Sequence, residues 1–292
     1  MKAYKKGWRN NYNASLSFFE IIGKDVKFFF KDSKKRIANR GKLPVIVVSP
    51  DFPSKRTTIF KIADALNFRL TNQLVKNPDV VLYFEDITHG NSDAVTQNYP
   101  NKKVINKYCV DISKKNVDRI HLEVFGYNTT IDPLSYQGIA VEKSDENALH
   151  DGRKLQCPIA KPREQAIYQM LIDNDVDEQY VVDYRVPVIH YEVPLVYKKF
   201  KEKKVRFTNE VSYSELHVPD MIFSNEELKR IGAFAKAMQA EFCELDVLRH
   251  SDGRIFVIDV NKTPYGPPAG LQENKKAVEL LTRAFQRAFL EK

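Results

Sequence analysis

The chain has 292 residues, 43% of them hydrophobic and 29% charged, which suits a sizeable core in one large domain or two to three small lobes. Its net charge of +8 favours anionic partners such as nucleotides, phosphorylated substrates or acidic membrane. No run nears the roughly 20 apolar residues that span a bilayer, the opening MKAYKKGWRNNYN lacks a signal-peptide pattern, and no nucleic-acid-binding signature is present; the expectation is a globular cytoplasmic chain that does not bind nucleic acid.

The first predicted element is a helix over Ser15 to Arg40, with Phe18, Ile21, Ile22, Val26, Phe29 and Phe30 near helical spacing. Lys24, Lys27, Lys31, Lys34, Lys35 and Arg36 make its remaining face basic. Such a helix either packs its apolar side on the protein with the basic side in water, the commoner arrangement, or makes peripheral contact with an anionic membrane. After Gly41 to Pro44, LPVIVVSPD reads as a strand buried on both faces. A helix over Thr57 to Leu70 and strands VVLYFED and KKVIN continue an α/β pattern.

A helix over Ser113 to Phe125, closed by Gly126, leads to strand GIAVEKS and the polar loop DENALHDG. The apolar segment AIYQMLID, two strand-like runs (QYVVDYRVPVI and VPLVYKK) and a helix over Asn225 to Phe242 follow. Cys109, Cys157 and Cys243 are too few and too widely spaced for a disulfide framework or a zinc site.

The segment ELDVLRHSDGRIFVIDVN reads as a β-hairpin around Ser251-Asp252-Gly253-Arg254, because Asp-Gly is a strong two-residue turn signal. With Ser251 opposite Arg254, Asp246 lies opposite Asp259 and Glu244 opposite Asn261, all on one face. Two carboxylates about 5 Å apart repel unless a cation neutralises them. Magnesium, which takes oxygen ligands, suits Asp246, Asp259 and Asn261. A solvated acidic edge is the plainer alternative.

The string DVLRHSDGRIFVIDVNKTPYG resembles the C-terminal metal motif of ATP-grasp enzymes, and VVDYRVPVI with VYKK and VRFTN is similar to the basic strands of ribosomal-protein glutamate ligases in that superfamily. The resemblance runs over about residues 105 to 270. It implies an α/β (α+β) ATP-grasp fold: an N-terminal helix over 1–42, a pre-grasp lobe over 43–106, and a grasp domain over 107–292 with lobes at about 107–170 and 171–292.

It further implies Arg185 and Arg206 at the transferred phosphate, with Lys198 beside them. Lys143 stands on the α and β phosphates, and Lys114 (or Lys115) is a second ATP-contacting lysine. Gln169 stands at an adenine hinge whose Met170, Leu171 and Ile172 offer backbone hydrogen bonds. ATP and one or two magnesium ions, or manganese, are the implied cofactors. A departure lies in the loop SDENALHDG, which has only Gly152 where the family is glycine-rich; Asn147 and His150 are the side chains there able to meet phosphate oxygens.

The implied reaction is carboxylate–amine ligation through an acyl phosphate. The partners would be a small-molecule or peptide acceptor bearing a carboxylate, an amine, and a second subunit as in dimeric members. A kinase acting on a hydroxyl is the alternative, and a non-catalytic nucleotide-binding or membrane-associated module is the third.

Overall fold

The computed structural model describes residues 3–145, 151–208 and 210–291. A short antiparallel hairpin of β1 (Tyr4–Lys6) and β2 (Asn11–Asn13) precedes helix α1 (Phe18–Ala38). The helix starts at a reciprocal capping box between Ser17 and Glu20, which satisfies backbone amides that have no partner inside the first turn.

The faces of α1 are not arranged as the commoner expectation has them. Its inward arc carries Asp25, Asp32 and Lys35 beside Ile21 and Phe28. Asp25 accepts from the Tyr12 hydroxyl at 2.6 Å and the Trp8 amide at 2.7 Å. Asp32 pairs with Arg9, and Lys35 reaches Asp64 at 2.8 Å and the Phe68 carbonyl at 2.6 Å. Phe18, Phe19, Ile22, Val26, Phe29 and Phe30 face outward instead. Helical periodicity shows that a helix has an apolar stripe, but Tyr12, Arg9 and Asp64, which lie far away in sequence or in a segment without pattern, decide which arc is buried.

Strands β3 (Val45–Pro50), β4 (Arg69–Thr71), β5 (Val80–Phe84) and β6 (Val104–Ile105) form a parallel sheet in the order β4-β3-β5-β6, with α2 (Thr58–Ala65) and α3 (Asp93–Asn98) in the connections. The helix expected to reach Leu70 ends at Ala65, because Asn67 takes a left-handed conformation and the chain turns into β4. Asp51 and Asp86 follow the carboxyl ends of β3 and β5, and the Asp86 amide donates to Asp51 Oδ2 at 3.0 Å. Crevices for ligands form at this edge of open parallel sheets.

Helix α4 (Lys114–Phe125), N-capped by Ser113 and ended by left-handed Gly126, leads into an antiparallel sheet ordered β8-β7-β9. These strands are β7 (Gly138–Ser144), β8 (Arg153–Cys157) and β9 (Ala166–Met170). A five-stranded antiparallel sheet then comprises β10 (Tyr180–Ile189), β11 (Val196–Glu202), β12 (Tyr213–His217), β13 (Phe242–Arg249) and β14 (Ile255–Asn261), ordered β12-β11-β10-β13-β14. Helix α5 (Asn225–Ala237) precedes β13, and α6 (Asn274–Phe289) follows β14.

Two main apolar cores hold this arrangement. In the first, Ile46, Ile59 and Leu82 of the parallel sheet and α2 meet Leu281 and Phe285 of α6, together with Tyr197 and Phe242 of the large sheet. In the second, Val117 and Ile120 of α4 and Ile231 and Phe234 of α5 cover Val186, Leu245 and Val260. The polar faces of β10, β13 and β14 are therefore left to look toward β7 and β9. All three cysteines are buried free thiols, and among the described residues no helix is long and apolar enough to cross a membrane.

Candidate active site

The β13–β14 hairpin pairs Asp246 with Asp259 and Glu244 with Asn261, as the Asp-Gly turn predicts, but by a different route. The turn is one residue longer than expected: the His250 amide bonds Arg254 O at 2.8 Å, Gly253 has φ 93°, and Arg249 pairs with Ile255. Val247 then pairs with Val257, so Ile258 is an extra, bulged residue before Asp259. The two one-residue departures cancel at the acidic face. The bulge also moves Ile258 from the apolar side, where strict alternation puts it, to the wall of a cavity.

The two opposed carboxylates have different electrostatic surroundings. Arg185 of β10 grips both oxygens of Asp246, at 2.9 and 3.0 Å, and Lys199 lies 3.8 Å away. Burial alone would raise the Asp246 pKa, but these cations hold it well below the usual carboxylate range. Asp259 has no such grip: its Oδ1 is buried without a hydrogen-bond partner. Burial, and then the neighbouring Asp246, push its carboxyl up to about 6.

Asn261 Oδ1 accepts from the Thr263 amide at 2.8 Å and hydroxyl at 3.1 Å, which fixes the amide's orientation. Glu244, 1% exposed, has neither carboxylate oxygen hydrogen-bonded, and its nearest cation is Arg185 at 3.7 Å. Burial raises its pKa. A side chain at Gly266 would collide with Glu244 Oε1, so glycine is needed for the two segments to approach.

This face borders a cavity of about 490 Å³ that also receives Lys114 from α4 and Lys143 from β7. Lys143 has no hydrogen-bond or ion-pair partner among the described residues. Burial, then the like charge of Lys114, lower its pKa to about 8, while Asp259 opposes the shift. The cavity thus contains a partnerless ammonium and a partnerless carboxylate oxygen. Neither is bonded to the other.

Gln169, Met170, Leu171 and Ile172 line the opposite end. Two of the three backbone amides expected at an adenine hinge are spent within the protein: Met170 N donates to Thr129 O at 2.8 Å and Leu171 N to Ile139 O at 3.1 Å. Of the three, only the Ile172 amide is left without a backbone acceptor among the described residues to serve the expected hinge role. Arg206 also lines the cavity at this end. Its guanidinium bonds the Ile172 carbonyl at 2.9 Å and Asn174 Oδ1 at 2.5 Å, contacts that the sequence did not foretell.

Strand alternation turns Lys198 away from the cavity, with its ammonium 4.8 Å from the Phe200 ring centre, and turns Lys199 and Lys201 into it. Lys201 pairs with Asp183 at 2.8 Å, and Asn174 donates to that same carboxylate at 3.1 Å. Asn147 and His150 lie outside the described residues. Asp151 and Gly152, at the base of their loop, border the cavity, with Asp151 accepting from the Ser144 amide at 3.0 Å. Sequence reasoning missed Asp86 in the same wall, although its place after β5 was the available signal.

Among the described residues no group of three or more His, Cys, Asp or Glu side chains gathers as a metal site. The candidate set is two carboxylates and an amide, all hard oxygen donors suited to magnesium. The unpartnered Asp259 Oδ1 fits a cation, whereas Asp246 already has a counter-charge in Arg185. A second cavity, of about 760 Å³, meets the first at Asp86, Thr263 and Tyr265. Tyr4, Tyr12, Phe28, Phe52, Phe60 and Phe84 give it aromatic walls, with Lys24, Lys27, Lys31 and Lys55 among them.

No family model and no curated protein sequence matches the chain. Solved structures do. The ATP-grasp ligase PsnB, complexed with a minimal precursor, is 15% identical with a TM-score of 0.55 over 83% of this chain and 99% of that one. PsnB with a phosphomimetic variant of minimal precursor, Mg and ADP is 14% identical, with a TM-score of 0.54 over the same shares of the two chains. VanG D-Ala:D-Ser ligase from Enterococcus faecalis is 10% identical with a TM-score of 0.55 over 85% of this chain and all of that one. The chain has the ATP-grasp fold.

Proposed function

We propose that this protein is an ATP- and magnesium-dependent ligase that activates a carboxylate and joins it to an amine. The observation that carries the reading is the pairing of a partnerless Lys143 ammonium with a partnerless Asp259 oxygen in one cavity. A metal–nucleotide brings negative charge to the first and positive charge to the second. Burying either group alone is unfavourable unless a ligand completes it.

Asp259 and Asn261, with Asp246 beside them, would hold magnesium, which supplies charge neutralisation on the phosphate oxygens. Lys143 and Lys114 bind the phosphates, and the Ile172 amide meets the base. Arg206 fixes the hinge by its bonds to Ile172 O and Asn174, a positioning role. Arg185 keeps Asp246 ionised and oriented.

A carboxylate oxygen of the acceptor, entering from the second cavity past Asp86, Thr263 and Tyr265, attacks the γ phosphorus. The bond from that phosphorus to the β–γ bridging oxygen breaks and ADP leaves. The acyl phosphate loses inorganic phosphate when an amine attacks its carbonyl carbon and gives up a proton. The lysines act by position and charge, as phosphoryl transfer requires. The aromatic and cationic walls of the second cavity suit a small or peptidic acid with an apolar body. The similar structures named above are ligases, which favours ligation over phosphorylation of a hydroxyl.

The test is ATP-dependent phosphate release across amino acids, peptides and sugar acids, with and without an amine, followed by product mass. Amine-dependent release of ADP and phosphate with an amide product is expected. A stable phosphoester formed without an amine replaces the ligase with a kinase, and no ATP consumption with any acceptor removes the enzyme assignment.

A further inference from the structure

Helix α1 divides into three arcs. At about 100° per residue, Lys35, Phe28, Ile21, Asp32 and Asp25 form the arc against the body, while Lys34, Lys27, Lys31 and Lys24 form a basic arc. The remaining third of the circumference faces outward and is mainly apolar, with Ser33 and Arg36 toward its C-terminal end. Phe18, Phe19 and Phe30 are 69%, 83% and 61% exposed, and Ile22, Val26 and Phe29 complete the stripe. Ile37 extends it at the C-terminal end, and the exposed Trp8 adds to it, its ring centre 5.9 Å from that of Phe29.

A folded chain seldom leaves so many large apolar side chains together in water, and such patches mark a partner. The inward arc explains why this stripe is not core: the helix is fastened to the body through buried ion pairs and hydrogen bonds, so its apolar side is free of any structural duty. Charge identifies the occupant. Lys34, Arg36, Arg40 and Lys42 are exposed at the same end of the helix, outside the second cavity, and have no ion-pair partner among the described residues. Glu20, engaged in the capping box, is the one exposed carboxylate on the helix.

A second copy packed in parallel through this stripe would bring these cations against one another, and an antiparallel copy would set them beside Phe18 and Phe19, where the one exposed carboxylate, Glu20, is already engaged. An anionic lipid surface offers apolar depth to the phenylalanines and phosphate charge to the lysines and arginines, which snorkel around the stripe. We infer that α1 docks the protein on an anionic membrane surface, lying in the interface plane with Phe18, Phe19, Ile22, Phe29 and Phe30 inserted. This inference is independent of the reaction.

The experiment is flotation of the full chain with phosphatidylcholine vesicles, with or without phosphatidylglycerol, beside sedimentation to determine the oligomeric state. The protein should float with the anionic vesicles and stay behind with neutral ones. Phe19→Ser with Phe30→Ser, and separately Lys34→Glu with Arg36→Glu, should each cut the bound fraction about tenfold, with circular dichroism and thermal midpoint unchanged. The inference is overturned if the wild type ignores anionic vesicles, floats equally with neutral ones, or is unaffected by the substitutions. It is also overturned if the wild type is a dimer that the phenylalanine substitutions dissociate.

Discussion

Asp246 and Asp259 face each other in direct register across β13 and β14, yet only Asp246 is neutralised by the protein, through the two-pronged grip of Arg185. The unneutralised partner is the functional one in this reading, and it destabilises the unliganded fold. Asp259→Asn should lower ATP turnover by about 100-fold or more while raising the melting temperature at neutral pH. The sign follows from linkage: a carboxyl whose folded pKa is raised to about 6 makes stability fall as pH rises from about 4 to 6. The variant's advantage should therefore shrink to nothing below about pH 4. Thermal melts across pH check this, and a variant less stable than wild type at neutral pH contradicts it.

Lys143 should impose an alkaline limb on the reaction. Its lowered pKa of about 8 means that the free enzyme loses the phosphate-binding charge as pH rises through that value. The profile of kcat/KM should decline above about pH 8, and Lys143→Arg should flatten the decline. Lys143→Met should weaken ATP binding on the order of 30-fold, measurable by calorimetry. An unchanged ATP affinity in Lys143→Met would rule out the phosphate contact.

Arg185 is a structural counter-ion as much as a site residue. Removing it in Arg185→Met leaves Asp246 ionised and Glu244 without its nearest cation, a loss of about 3–5 kcal/mol. Urea denaturation should show that loss at pH 7. Because Asp246 has a depressed folded pKa, the stability it confers is present above the ordinary carboxylate range and is lost as pH falls toward the folded value. The gap between wild type and variant should accordingly narrow in acid. Adding Asp246→Asn to Arg185→Met should recover part of the loss.

Arg206 separates hinge from phosphate. Since it bonds Ile172 O and Asn174, Arg206→Ala should raise KM for ATP several-fold and leave kcat nearly unchanged. Steady-state kinetics decide: a fall in kcat with KM intact would return Arg206 to the transferred phosphate.

How much of this was legible in sequence depended on the range of the determining interactions. The Asp-Gly turn and the alternation of ELDVLRHSDGRIFVIDVN brought Asp246 and Asp259 together, but only because an extra turn residue and the Ile258 bulge compensate each other. Local propensity cannot forecast that compensation. Lys198 and Lys199 differ by one residue, and the register of β11 on β10 decides which enters the cavity. The resemblance drew residues 169–172 toward the site, and they do line the cavity, whereas the capture of the Met170 and Leu171 amides by Thr129 and Ile139 depends on segments some 30 to 40 residues upstream. Likewise, the wheel of α1 was readable and its inward arc was not.

Helix α6 has consequences for how the chain acquires its structure. Its Leu281 and Phe285 complete the core over β3, β5 and α2, whose residues precede them by roughly two hundred positions. During synthesis that sheet lacks part of its apolar cover until α6 has left the ribosome, so the nascent chain holds Ile46, Ile59 and Leu82 partly unsealed while the intervening residues are made. The parallel sheet thus becomes secure only after the strands of both later sheets have been made, and its exposure to chaperones is set by when α6 emerges.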